Sequence, residues 1–188
     1  MKTLKTIAVA LLVAFSATIS AQTKQIDAKK SIITWVGKKV TGQHTGTIAL
    51  KSGALVFKST KLVGGTFIAD MTTLVNTDLK TGEGKEQLEG HLKSADFFGI
   101  EKNPTAVLVF KTLAAKPNGI YTVTADLTIK GITNPITFDL AITTNTATSL
   151  LKVDRTKYDI KYNSGNFFQN LGDKVISDEF DLNVALKF

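Results

Sequence analysis

From residue 31 to the C-terminus, apolar and polar side chains alternate with a period of two. Tyr121, Val123, Ala125, Leu127 and Ile129 are interleaved with Thr122, Thr124, Asp126, Thr128 and Lys130. Ile136, Phe138, Leu140 and Ile142 alternate with Thr137, Asp139, Ala141 and Thr143. The chain ends on Phe180, Leu182, Val184, Leu186 and Phe188, separated by Asp181, Asn183, Ala185 and Lys187. Such a pattern gives each strand one face for an apolar interior and one for water. Strands are expected near 31–37, 46–51, 54–58, 65–73, 106–113, 120–130, 135–143, 149–153, 157–162 and 179–188, several of which can merge into longer, bent strands. Turn signals separate them. Lys116-Pro117-Asn118-Gly119 and Lys130-Gly131-Ile132-Thr133-Asn134-Pro135 are the strongest, and Ser52-Gly53 and Gly64-Gly65 mark further breaks or bends. One stretch departs from the period: Leu88 and Leu92 stand four residues apart among charges, predicting a short helix near 84–98, with Pro104 before the next strand.

One-sided alternation belongs to antiparallel sheets. The fold class is therefore all-β, one domain with no internal repeat. Closing such a sheet into a barrel removes its exposed edges. Alternation alone is equally compatible with a two-sheet sandwich, a barrel filled by its own side chains, or a barrel that holds a small ligand.

The N-terminus has a different character. Lys2 and Lys5 precede an apolar run from Ile7 to Ile19, and Ser20-Ala21 lead into the polar Gln22-Thr23-Lys24-Gln25. This is the order of parts in a secretory signal peptide over residues 1–21, cleaved after Ala21. The run is short for a membrane-spanning helix, which takes about 20 apolar residues. Residues 22–188 then form the domain, and a periplasmic or secreted location is expected. The chain has no cysteine, which excludes disulfides, thiolate metal sites and cysteine nucleophiles. The net charge of +7 is carried by lysines spread along the chain, with Arg155 the single arginine. Nucleic-acid surfaces favour the arginine fork, so a nucleic-acid partner is not expected. A weak attraction to anionic membrane surfaces is compatible with the charge.

Few residues offer chemistry. His44 is placed in a glycine-flanked turn and His91 on the helix. Two distant histidines without cysteine fall short of the three or four spaced ligands of a zinc site, so no metal is expected. There is no Gly-x-Ser-x-Gly elbow, and Gly82-Glu83-Gly84-Lys85-Glu86 lacks the spacing and the hydroxyl of a phosphate loop. No catalytic residues and no cofactor are expected. The aromatic residues say more. Trp35, Phe57, Phe67, Phe97, Phe98 and Phe110 recur at positions expected to face inward, as do Phe138, Phe167 and Phe168. As a set they suit a long apolar cavity with few polar groups.

Several motifs resemble one family, the YceI-like, polyisoprenoid-binding proteins. They begin with Ser31-Ile32-Ile33-Thr34-Trp35-Val36-Gly37-Lys38 followed by Gly42-Gln43-His44-Thr45-Gly46, then Gly65-Thr66-Phe67-Ile68-Ala69-Asp70-Met71. The most specific is His91-Leu92-Lys93-Ser94-Ala95-Asp96-Phe97-Phe98 with Asn103-Pro104. Leu127 to Thr133 and Asp154-Arg155-Thr156-Lys157-Tyr158 complete the series. The resemblance implies an extended, lipocalin-like antiparallel barrel of about eight main strands, exported, often dimeric and not enzymatic. It implies a tunnel for a long isoprenoid or similar amphiphile. Trp35, Phe67, Met71, Leu92, Phe97 and Phe98, with Phe110 and Phe138, would form the tunnel or its mouth. His44, His91 and Arg155 would form its polar end or brace the loops around it. The segment 163–168 departs from some relatives and puts the shape of the mouth in question. Two other readings compete with a lipid carrier. One is an interaction protein with a packed barrel; the other is an enzyme acting on an amphiphile through His44 or His91.

Overall fold

A computed structural model describes residues 20–188, so the signal-peptide reading of residues 1–21 lies almost wholly outside the described residues. The strands are β1 (Ala21–Gln25), β2 (Ile32–Lys39), β3 (Gly42–Lys58), β4 (Lys61–Asn76), β5 (Thr105–Ala115), β6 (Ile120–Ile129), β7 (Ile132–Ile142), β8 (Thr146–Asp154) and β9 (Ile176–Lys187). Among the described residues the one α-helix, α1 (Lys85–Lys93), sits between β4 and β5. Each of β2 to β9 pairs antiparallel with the next in sequence, and β9 pairs back onto β2. The result is a closed eight-stranded antiparallel barrel, which excludes the sandwich. The ninth strand, β1, pairs with Ala54–Lys58 of β3, while β2 occupies the Gly42–Ile48 half. The polar run Thr23 to Gln25, not expected to be a strand, is therefore an ordered part of the sheet.

β3 and β4 are long, at 17 and 16 residues, and their pairing slips register three times. The slips place one extra residue on β3 at Lys51, one on β4 at Val63 and three on β4 between Asp70 and Val75. An odd number of extra residues exchanges the inward and outward faces of the strand that carries it. Along β3 the inward positions are Gly46, Ile48 and Leu50, and then, past the slip at Lys51, Gly53, Leu55 and Phe57. Both halves of a bent strand thus keep an apolar face on the interior. Ser52-Gly53 and Gly64-Gly65 lie within strands at these bends rather than ending them.

Gly46 has a second role. A Cβ there would stand 1.9 Å from the Val75 carbonyl oxygen and 2.5 Å from Cζ2 of Trp35. Only glycine lets the Trp35 indole lie flat against β3, its paired strand.

One end of the barrel is packed solid by Leu55, Phe57, Leu62, Val123, Ala147 and Leu186. The other end carries α1, the segment 94–104 and the long β8–β9 connection. Residues 157–162, expected as a strand, instead begin within a 3-10 turn at Arg155–Tyr158 and continue as a loop. Asp154 starts that turn by accepting from the Thr156 amide at 3.0 Å and its hydroxyl at 2.6 Å. Tyr158 and Ile160 are buried two residues apart, so the turn reproduces the spacing of a strand. Phe167 and Phe168 also depart from expectation. They lie outside the barrel, about half exposed, on a loop folded back on Ser164.

Gly46→Ala should cost about 3 kcal/mol, because its new methyl group meets a backbone oxygen that cannot yield as a side chain can. Gly90→Ala, on α1 with open space around it, should stabilise by up to about 1 kcal/mol. Chemical denaturation of the two variants checks both values.

Candidate functional site

Inside the barrel, beneath α1, is a cavity of about 340 Å³. That is within the range of small-molecule pockets, about 300–1,000 Å³. Its β9 wall runs from Ile176 to Leu186. At about 3.3 Å per residue and a usual barrel tilt, this spans roughly 25 Å along the axis. Trp35 from β2, Phe67 and Met71 from β4, Phe110 from β5 and Phe138 from β7 all reach the wall. The rings of Phe67, Phe110 and Phe138 form a run across the strands, with centroids 5.3 Å apart for Phe67 and Phe110 and 6.1 Å for Phe110 and Phe138. Ala69 and Ala106, paired across β4 and β5, are also on the wall, and their small side chains leave the middle of the cavity open.

The mouth is built by α1 and the segment that leads from it to β5. Gly84 starts the helix in a left-handed conformation, φ 93°, with no side-chain cap. Leu88 and Leu92 face the cavity, although no residue of α1 is fully buried. Ser94 ends the helix by donating its hydroxyl to the His91 carbonyl at 2.8 Å. The chain then turns so that Phe97 and Phe98 also reach the wall. Phe98 meets Phe180 of β9 edge-on at 6.1 Å. The sequence-level selection of wall residues omitted most of the aliphatic part, notably Ile33, Leu127, Leu182 and Val184. The signal for them was already present in the alternation of β2, β6 and β9.

Polar groups on the wall gather at the mouth as Lys38, Lys39, His44, Arg155, Ser177 and Glu179. The exception is Ser149, whose hydroxyl donates to the Asp139 carbonyl. His44 lies within β3 rather than in a turn, and its Nδ1 is 2.8 Å from Asp78 Oδ2. Asp78 Oδ1 accepts from the Thr45 amide at 2.7 Å and from Asn76 Nδ2 at 2.6 Å. Burial pushes the Asp78 carboxyl upward, but the hydrogen bonds from Thr45, His44 and Asn76 outweigh it and hold it below the usual aspartate range. Asn76 is completely buried, and its amide donates to Glu89 of α1 at 2.8 Å. This network ties the His44 strand to the helix over the cavity.

His91 does not reach the wall. Its ring packs edge-on against Phe97 and Tyr162, with centroids at 4.9 and 4.5 Å, and its Nε2 is 3.7 Å from Asp96.

Arg155 is 4% exposed and donates to three backbone carbonyls: Nε to Ser177, Nη1 to Ile160 and Nη2 to Ile176, each at 2.9 Å. Asp178 Oδ1 lies 3.6 Å from Nη2, an ion-pair contact longer than a hydrogen bond. Burial lowers the Arg155 pKa from its ordinary value, offset in part by Asp178 and Asp154. The guanidinium braces the β8–β9 connection from within and presents the edge of its charge to the cavity mouth. Its ring neighbour is Phe97, at 6.0 Å. Asp178 Oδ1 and Trp35 Nε1 are buried side-chain atoms with no hydrogen-bond partner among the described residues.

The barrel is thus apolar along most of its cavity wall, packed at one end and polar at the other. The YceI-like domain model matches residues 25–188, and the chain belongs to this family. A UPF0312 protein of Pseudomonas putida is 34% identical over 67 residues, 34% of this chain and 35% of that one. A UPF0312 protein of Staphylococcus aureus is 38% identical over 68 residues, 36% of each. The chain thus matches about a third of the length of these curated relatives. Among solved structures, BcnA of Burkholderia cenocepacia superposes with a TM-score of 0.65 at 19% identity, covering 87% of this chain and 99% of its own. A polyisoprenoid-binding domain from Saccharophagus degradans gives 0.58 at 15% identity, covering 87% and 95%. The YceI protein of Campylobacter jejuni gives 0.56 at 15%, covering 98% and 92%. At these identities the superpositions establish the fold.

Arg155→Lys should destabilise the protein by about 2–4 kcal/mol, because an ammonium cannot serve three carbonyls set around a planar fork. Urea unfolding would measure it. A second prediction concerns acid. Asp181, bonded to Lys38 at 2.7 Å and to Lys152 at 3.3 Å, has its pKa lowered, first by Lys38 and then by Lys152 against the opposing effect of burial. The stability it contributes is therefore complete above the unfolded-state value of about 3.9 and is lost as pH falls through the lower folded value. Asp181→Asn should lower Tm at neutral pH and flatten the decline on acidification, read from melting curves across that range.

Proposed function

We propose that this protein binds a long-chain amphiphile, a polyisoprenoid such as a quinone or prenyl lipid, with the tail in the barrel and the head group at the mouth. The observation that carries this reading is the cavity wall. It is aromatic and aliphatic along its depth, and apart from Ser149 its polar residues gather near Lys38, Lys39, His44 and Arg155. The polyisoprenoid-binding domain of Saccharophagus degradans, which shares the fold, supports it. Burying the tail contributes about 25 cal/mol per Å² of apolar surface, or about 0.8 kcal/mol per methylene, so affinity needs few polar contacts. Chain length would be selected by the depth of the cavity. The head group would be selected by the polar side chains at the mouth.

The activity is binding without covalent chemistry and without a cofactor, serving transport, storage or sequestration in the cell envelope. The leader-like N-terminus supports a periplasmic or secreted location. Transient contact with a membrane, from which such a lipid is drawn, belongs to this reading, and a homodimer is compatible with it.

Mass spectrometry of the purified protein, native and after organic extraction, should find one long-chain lipid per barrel. An empty protein that also takes up no added isoprenoid quinone would remove the proposal in favour of a non-enzymatic interaction protein. Ala106→Phe should fill the cavity beside Phe67 and Phe110. It should lower the extracted lipid at least tenfold while leaving the melting temperature of the lipid-free protein unchanged or higher. Undiminished lipid in that variant would place the cargo elsewhere.

A further inference from the structure

The largest exposed aromatic side chains stand together beside the cavity mouth. Phe167 and Phe168 are 51% and 49% exposed, Val40 is 65% exposed and Tyr162 38%. Other exposed apolar residues, such as Ile32, Val63 and Leu150, are on separate strands of the barrel wall. Scattered apolar side chains on a surface need no explanation, but adjacent exposed phenylalanines do.

These residues are held out by the chain around them. Ser164 is completely buried, and its carbonyl accepts from the amides of both Phe167, at 3.1 Å, and Phe168, at 3.0 Å. The Asn166 side chain donates to Asp178 at 2.6 Å, which fastens the loop to the start of β9. Asn163 accepts from the Ile176 amide at 2.9 Å, and Ile176 is itself on the cavity wall. Val40, at the tip of the β2–β3 hairpin, donates its amide to Val175 at 3.2 Å. The hairpin and the loop therefore form one continuous rim, with Lys38 and Lys39 reaching the cavity from its edge.

Positive charge is in excess on this rim. Segments 38–45 and 155–176 carry exposed or half-buried Lys38, Lys39, Lys157, Lys161 and Lys174 against Asp159 and Asp173. Lys38 and Lys161 are engaged with acids, whereas Lys39, Lys157 and Lys174 have no ion-pair partner among the described residues. The Lys161 ammonium also lies over the Phe167 ring, 5.2 Å from its centroid. Exposed aromatic rings set among unpaired lysines match an interfacial bilayer surface, where rings enter the acyl boundary and ammonium groups meet lipid phosphates.

We infer that Phe167, Phe168 and Val40, with Lys39, Lys157 and Lys174, form a docking surface for an anionic phospholipid bilayer. It seats the cavity mouth against the membrane. The inference deepens the carrier reading, on which its purpose rests, by naming where a lipid would pass between bilayer and barrel. The solid end of the barrel, far from this rim, would point into solution.

The test is sedimentation of the purified protein with phosphatidylcholine vesicles, with and without phosphatidylglycerol. The protein should bind the phosphatidylglycerol-containing vesicles more strongly, and added salt should weaken that binding. The double variant Phe167→Ser/Phe168→Ser alters two exposed side chains that are not on the cavity wall. It should lower the bound fraction at least tenfold with no change in melting temperature. Unaltered vesicle binding by the double variant, or no vesicle binding by the parent, would overturn the inference. So would a parent dimer that the double variant converts to monomer in light scattering, because the rim would then be a contact between copies. The two proposals fail separately. A protein with no extractable lipid and loop-dependent vesicle binding would lose its cargo but keep its docking surface.

Discussion

The pairing of β3 with β4 is the constraint on which the rest of the structure depends. It joins the two longest strands and keeps the barrel closed between β2 and β5. Strands of this length cannot curve around a narrow barrel and hold one regular register, because the twist would carry their apolar faces away from the interior. The three register slips absorb that conflict. They bend the hairpin and return Leu50, Leu55, Phe67 and Met71 to the inside. Without them one half of the hairpin would face the interior with its threonines and lysines.

Length obtained in this way also produces the space. A short barrel of eight strands fills with its own side chains. Here the packed layer of Leu55, Phe57 and Val123 occupies only one end, and the long hairpin continues past it to carry Ile48, Met71 and Leu74, which with Trp35 of β2 form a second layer under α1. Between the layers, Ala69 and Ala106 stand where larger residues would meet. Large rings around small residues give a wall that is apolar but not closed. The polar work is assigned to the rim, where Asp78, Asn76 and Glu89 connect β3 to α1, and Arg155 holds the β8–β9 connection.

Much of this was legible in the chain, for reasons that differ by element. β6 and β7 keep strict alternation because they are regular strands joined by a tight turn, so Val123, Leu127, Phe138 and Leu140 could be placed on the inside directly. β3 was legible only as fragments, since a slip at Lys51 exchanges odd for even positions and breaks the very period that identifies a strand. Tyr158 and Ile160 misled in the opposite sense, because a 3-10 turn capped by Asp154 can bury alternate residues without a ladder. Phe167 and Phe168 were read as interior on hydrophobicity alone, and hydrophobicity does not distinguish a side chain bound for the core from one displayed at a rim. The mouth residues were found through a resemblance, not through spacing. His44, Asp78 and Glu89 meet from three elements, and nothing local in the sequence brings them together.

The Arg155 clamp has a consequence for where the protein can work. A long connection at the edge of a barrel can be stapled by a disulfide, and a staple of that kind opens when its surroundings become reducing. Here the same task falls to a guanidinium on the Ser177, Ile160 and Ile176 carbonyls, in a chain without cysteine. That cation stays protonated throughout the physiological range. The rim needs neither an oxidant to form nor an isomerase to correct it, and glutathione has nothing there to attack.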